Sequence, residues 1–237
     1  MPSLYLLGTG AAVTDPFRTA TMLALYDESS DEPSTLLVDC GSDIVQRLRE
    51  AGASIDDIAG LIVTHAHPDH TSGYPLFVER MWLYEHHDEI PVIGIEAAVD
   101  QVRKLWDAYD SITAGWDIPA IDYRVVPYEK DARVWDDATW TVRCAPVDHG
   151  IYNIGLRFEH VPTGGVVAYS CDTAPCEAVV HLADGADILV HEATGSMDGH
   201  SSAADAARAA HDAGADRLIL VHLPEGDKTA ALREARD

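Results

Sequence analysis

The feature that most constrains this chain is an apolar run that passes directly into a cluster of metal-ligand side chains: Leu61-Ile62-Val63-Thr64, then His65-Ala66-His67-Pro68-Asp69-His70. Three successive β-prone residues read as a short buried strand, and the spacing predicts a helix over residues 76–84, so the histidines fall on a strand-to-helix loop. On an extended turn, residues two apart point the same way. His65 and His67 can then grip one cation while Asp69 and His70 reach a second. Neutral imidazoles and a carboxylate are the donors that zinc favours, and an open coordination position can hold water. Four candidate ligands within six residues point to a metal site rather than to a solvated polar turn.

Around that loop the pattern is one of short strands first and βα alternation later. Residues 3–7, 21–26 and 35–38 read as strands, with the polar stretch 27–34 as a hairpin loop. Ile44, Val45, Leu48 and Ala51 follow helical spacing up to Gly52. Residues 96–108 form a further predicted helix, and strands are predicted at 121–126, 139–144, 154–158 and 166–170. Helices over 178–182, 202–213 and 228–236 then alternate with strands at 188–190 and 218–221. The order implies an α/β chain of two mixed sheets sandwiched by helices, αββα. At 237 residues it suits one domain, 1–237.

Composition narrows the partners. No apolar run approaches the roughly 20 residues needed to span a bilayer, and the start Met1-Pro2 lacks a signal-peptide pattern, so a cytoplasmic location without membrane attachment is expected. Cys40, Cys144, Cys171 and Cys176 show no paired spacing and read as reduced, mostly buried thiols; Cys171, beside Asp172, reads as packing next to a ligand rather than as one. Forty acidic against sixteen basic residues give a net charge of −24. Such a surface repels phosphate backbones, which disfavours a nucleic-acid substrate; adaptation to high salt is the other account of it.

The string His65-Ala66-His67-Pro68-Asp69-His70 resembles the signature of the metallo-β-lactamase superfamily, and later segments resemble its ribonuclease Z-like branch. Leu7-Gly8-Thr9-Gly10 and Val38-Asp39-Cys40-Gly41 resemble the family's first and third strands with their turns. Pro146-Val147-Asp148-His149, Tyr169-Ser170-Cys171-Asp172-Thr173, His191-Glu192-Ala193-Thr194, Gly199-His200-Ser201-Ser202 and Leu220-Val221-His222 follow in the branch's order. Cys171 stands where the family has glycine. The resemblance implies a metallo-β-lactamase fold and two divalent cations, zinc before Mn2+ or Fe. His65, His67 and His149 would hold one, Asp69, His70 and His222 the other, and Asp172 would bridge them.

It also implies a second role for Asp69, steering water, and a pair in which Glu192 orients His200 toward the leaving group, a proton a histidine can donate near neutral pH. His191 is left as structural, while His86, His87, His160, His181 and His211 match no motif. The expected activity is binuclear zinc-dependent hydrolysis of a small phosphodiester or related ester through a metal-bridging hydroxide. Alternatives are a lactonase or sulfatase-like hydrolase, a ribonuclease Z-type tRNA 3′ endonuclease, a mononuclear iron redox enzyme, and a non-catalytic metal-binding protein; a homodimer is left open.

Two departures weigh against tRNA processing. Only residues 150–171 lie between His149 and Asp172, where that branch commonly carries an RNA-binding arm, and Thr14-Asp15-Pro16-Phe17-Arg18 keeps a single arginine where RNA-processing members have a basic loop. Among the aromatic residues between His70 and His149, Trp82 and Trp106 read as helix packing or pocket wall, with Tyr84 and Tyr109 beside them. Trp116, between Gly115 and Pro119, is the more loop-like pocket candidate.

Overall fold

The computed structural model describes residues 2–13, 15–27, 34–226 and 228–236. They fall into two compact units, Met1–Gly8 with Ala20–Val125 and Thr9–Thr19 with Val126–Asp237. The predicted hairpin loop at 27–34 lies largely outside the described residues, as does Thr14; the strands that flank the loop pair antiparallel, Asp27 opposite Ser34.

The first unit is built on a six-stranded sheet whose strands lie side by side in chain order: β1 (Pro2–Gly8), β2 (Met22–Asp27), β3 (Ser34–Val38), β4 (Ile58–Val63), β5 (Ile90–Gly94) and β6 (Ile121–Val125). The first three form an antiparallel meander, and β3 to β6 run parallel. Parallel strands need crossovers, and α1 (Ile44–Glu50), α2 (Pro68–Thr71), α3 (Tyr74–Leu83), α4 (Glu96–Asp107) and α5 (Asp110–Thr113) supply them. Each long crossover helix buries an apolar stripe: Ile44, Val45 and Leu48 on α1, Tyr74, Phe77, Val78 and Met81 on α3, and Ala98, Val99 and Val102 on α4. Asp43 caps α1 by accepting the Gln46 N–H at 3.0 Å.

The second unit mirrors this plan. Strands β7 (Ala132–Asp136), β8 (Trp140–Pro146), β9 (Ile154–His160), β10 (Gly165–Tyr169), β11 (Ile188–Glu192) and β12 (Leu218–Val221) again lie in chain order. The first four are antiparallel, and β10 to β12 run parallel through α6 (Glu177–Leu182) and α7 (Ala203–Ala213), with α8 (Lys228–Glu234) at the end. Helix α7 turns Ala203, Ala206, Ala210 and Ala213 inward, a small-residue face that lets the helix approach its neighbours closely; Ala210 and Ala213 pack with Val147, Val179 and Leu189. Ser202 and Asp205 form a reciprocal cap at its start, and Gly214, with a φ of 65°, ends it.

The expected mixed sheets with helices are therefore present. Two strands carry little signal in the sequence. Strand β5 contains Pro91, which demotes a run in a sequence reading, yet it sits between β4 and β6. Strand β7, Ala-Arg-Val-Trp-Asp, is broken by charges and pairs only with β8. The connection between β9 and β10 is a tight turn over residues 161–164. It is closed by the Gly164 N–H on the His160 carbonyl at 2.8 Å and by a 2.7 Å bond between His160 Nδ1 and Thr163 Oγ1. No helix among the described residues is long and apolar enough to cross a membrane.

Candidate metal centre

In open α/β sheets, ligand sites gather beyond the carboxyl ends of the strands, and every candidate ligand of this chain follows such an end. In the first unit the loop after β4 carries His65 and His67, the latter in extended backbone. Asp69 and His70 sit on the single turn of α2, for which His67 is the N-cap and Pro68 the first residue. Asp69 and His70 thus stand on a short helical turn, where the sequence suggested an extended turn.

His65 Nε2 and His67 Nδ1 stand 3.1 Å apart, and His70 Nε2 is 3.6 Å from Asp69 Oδ2. The far nitrogens are held from behind. His70 Nδ1 bonds the buried Asp39 carboxylate at 2.8 Å, and His65 Nδ1 lies 3.1 Å from Thr64 Oγ1, which is itself 3.0 Å from both Asp39 oxygens. The Asp39 turn is locked to the ligand loop by the Cys40 N–H on the His70 carbonyl at 2.9 Å and the Gly73 N–H on the Cys40 carbonyl at 2.7 Å. Gly41 is required here, because a Cβ would fall 1.6 Å from the Asp69 carbonyl oxygen.

In the second unit His149 follows β8, Asp172 follows β10 and His222 follows β12. His222 Nε2 is 3.3 Å from Asp172 Oδ2. Its Nδ1 meets Thr194 Oγ1 at 2.6 Å, while His149 Nδ1 donates to the Gly199 carbonyl at 2.8 Å. Cys171 and His222 take left-handed backbone, with φ of 52° and 51°. That conformation accounts for the family's glycine at position 171 and shows that a buried cysteine occupies it here at some steric cost. None of the four cysteines is in a disulfide; three are buried and Cys176 is half-buried.

Glu192 ends β11 fully buried, and its carboxylate accepts three backbone N–H groups, from Thr173 at 3.2 Å, Thr194 at 2.8 Å and Ser201 at 2.9 Å, as well as His200 Nδ1 at 3.0 Å. His200 is thereby fixed with its ring stacked on His222, centroids 5.7 Å apart, and edge-on to His149 at 5.1 Å. Glu192, His200 and His222 also bring ligand-type atoms within 4.8 Å of one another, but Glu192 is already committed to four donors. His191 is buried, donates from Nδ1 to the Glu192 carbonyl at 2.8 Å, and is held below the usual histidine range by loss of hydration.

Both donor sets fit divalent cations. Two donors on one tetrahedral zinc at about 2.0–2.1 Å stand roughly 3.3 Å apart, and the pairs at 3.1, 3.3 and 3.6 Å lie around that value. Histidine ligands characteristically donate their remote N–H to a carboxylate, carbonyl or hydroxyl, which fixes the tautomer. Asp39, the Gly199 carbonyl and Thr194 play that part. Sequence reasoning noted Asp39 and Thr194 only as parts of strings and missed what they do; the one signal was their place beside ligands at strand ends.

Comparison with known proteins gives the family and the fold. A ribonuclease Z from Methanothermobacter thermautotrophicus is 27% identical over 94% of this chain and 87% of its own length. The crystal structure of human tRNase Z, short form, superposes with a TM-score of 0.80 at 24% identity, covering 94% of this chain and 93% of that one. A diphosphatase from the PhnP family gives 0.73 at 19% identity, covering 94% and 87%. The β-lactamase superfamily domain matches residues 34–223, and the chain belongs to that family, with the metallo-β-lactamase fold.

Proposed function

We propose that this metal-dependent hydrolase cleaves a small phosphodiester, with His65, His67, Asp69, His70, His149, Asp172 and His222 as ligands of two zinc ions and Asp172 as the bridge. The observation that carries the metal reading is that the remote nitrogens of His70, His149 and His222 are each pinned at 2.6–2.8 Å. Side chains so pinned present the other nitrogen for coordination. When bound, a metal pair neutralises charge on phosphate oxygens and makes water acidic enough to serve as nucleophile at neutral pH.

The chain's own residues do the rest. Asp69 is less buried than Asp172 and, in this reading, accepts a proton from the attacking water and so orients it. Glu192 holds His200 through Nδ1, so that Nε2 is the atom that hands a proton to the leaving oxygen. Buried Glu192 touches no substrate in this scheme; it positions His200.

Phosphodiester chemistry is supported by the curated relatives, named as ribonuclease Z, since a ribonuclease cleaves phosphodiesters. The small size of the substrate is supported by the net charge of −24 and the short turn at 161–164. A second reading, a tRNA 3′ endonuclease, is favoured by the ribonuclease Z relatives, whose lengths this chain nearly spans. The deciding experiment is a panel of chromogenic phosphodiester, lactone and sulfate esters beside a precursor tRNA, run on zinc-loaded and chelator-treated protein. Zinc-dependent cleavage of the phosphodiester alone is expected. Cleavage of precursor tRNA on its 3′ side at physiological salt, or turnover confined to lactone or sulfate, overturns the small-phosphodiester reading.

A further inference from the structure

Within the first unit, helices α3, α4 and α5 and the loop beyond border an open cavity of about 480 Å³ whose lining includes Ser72, Leu76, Glu79, Trp106, Tyr109 and Trp116. Ser72 is two residues beyond His70, so their Cα atoms are at most about 7.6 Å apart. Trp116 is stacked on Trp82, ring centroids 4.0 Å apart and planes 14° from parallel. Trp82 does not line the cavity, so Trp116 offers it the other face or its edge. Trp106 and Tyr109, one helical turn apart, stand 6.4 Å apart. Both Trp106 and Trp116 therefore belong to a pocket wall, and Trp82 supports it from behind.

Among the described residues lining the cavity, Glu79 is the only charged one. It is half-buried, and its chain neighbour Arg80 is engaged elsewhere, with Asp43 at 3.0 Å. A carboxylate set in an aromatic wall is costly opposite a hydrocarbon occupant, which would strip its water and return nothing. An alkylammonium group would pair with it and also gain from whichever of the three aromatic rings presents its face. Such a group also suits the chain's charge. A simple phosphodiester is an anion and is repelled by a protein of net charge −24, whereas a phosphodiester carrying its own ammonium is neutral overall.

We infer that this pocket binds the quaternary or alkylammonium head of a zwitterionic phosphodiester, the head seated between Trp106, Tyr109, Trp116 and Glu79 while the phosphate reaches the His65–His70 loop. This deepens the hydrolase reading and rests on it for the phosphate half. The test separates the two. Tryptophan fluorescence and calorimetry on the zinc-loaded protein would follow choline against its neutral isostere 3,3-dimethylbutan-1-ol. Choline should bind at least tenfold tighter, and Glu79→Gln and Trp106→Leu should each cut that preference roughly tenfold with circular dichroism unchanged.

In turnover, p-nitrophenyl phosphorylcholine should be preferred over ethyl p-nitrophenyl phosphate in kcat/KM, and Glu79→Gln should bring the ratio near one. Equal binding of choline and its isostere, or a preference unmoved by both variants, overturns the ammonium assignment, as would selective binding of free nucleosides. If choline binds selectively but neither phosphodiester is cleaved with zinc, the pocket stands and the hydrolase reading falls. If both esters are cleaved at one rate and choline does not bind, the reverse holds.

Discussion

The two units arrange their candidate ligands in opposite ways. The first concentrates four donors in six consecutive residues after one strand, and supports them with a buried carboxylate, Asp39, placed by the neighbouring strand. The second scatters His149, Asp172 and His222 beyond three different strands, and supports its histidines with neutral partners, a carbonyl and a threonine hydroxyl. The first half is thus a local motif in sequence, although its support comes from the neighbouring strand. The second exists only once the sheet has formed, because β8, β10 and β12 must each be in register to present one ligand. A charged support should also matter more than a neutral one.

The contrast can be tested. The largest effect is expected from ligand removal: Asp172→Ala should lower metal content and abolish turnover together, since a scattered site has no neighbouring donor to substitute. Elemental analysis showing two metals per chain in that variant would place the bridge elsewhere. Next, His200→Ala should keep both metals and lower turnover by roughly 10²–10⁴-fold on an alkyl ester, with a much smaller loss on a nitrophenyl ester whose leaving group needs no proton. Equal impairment on both esters, or loss of metal, would remove His200 from the proton-donor role.

The supports come third. Asp39→Asn, which keeps the shape and tolerates the left-handed backbone at φ 58°, should weaken zinc binding by about 100-fold, and Thr194→Val by about tenfold. Competition with a chromophoric chelator measures both, and a larger defect in the threonine variant would reverse the comparison. The smallest effect concerns Cys171. Cys171→Gly relieves a left-handed residue while Cys144→Gly, in strand β8, relieves nothing. The first should therefore destabilise by about 1 kcal/mol less than the second in urea unfolding. Equal losses would show that position 171 carries no strain.

The same contrast explains what could be read from the sequence. His65 to His70 stood out as a candidate metal loop from residue chemistry alone, because spacing and strand context are local. His149, Asp172 and His222 were legible only through the order of family-like strings, since an isolated histidine at the end of a strand carries no mark of what stands beside it. Strands at 188–190 and 218–221 were visible as apolar runs, whereas β5 was hidden by Pro91 and β7 by its charges. Asp39 had a place in a recognisable turn, but its bond to His70 spans 31 positions. Trp106 had the spacing of a helix-packing residue, and its position in a cavity wall depends on where α5 and Trp116 fold back.

The turn at 161–164 bears on how such a chain changes over evolutionary time. Its closure is self-contained, made by His160, Thr163 and Gly164 within a few residues of one another. It closes an antiparallel hairpin whose register is set by the strands themselves. Lengthening a flexible loop costs only about 0.6 kcal/mol for each doubling, and an exposed hairpin tip such as this one is where insertions are best tolerated. A segment can be gained or lost there without moving a ligand. Reach toward large substrates and the capacity for hydrolysis are therefore separable inheritances in this architecture.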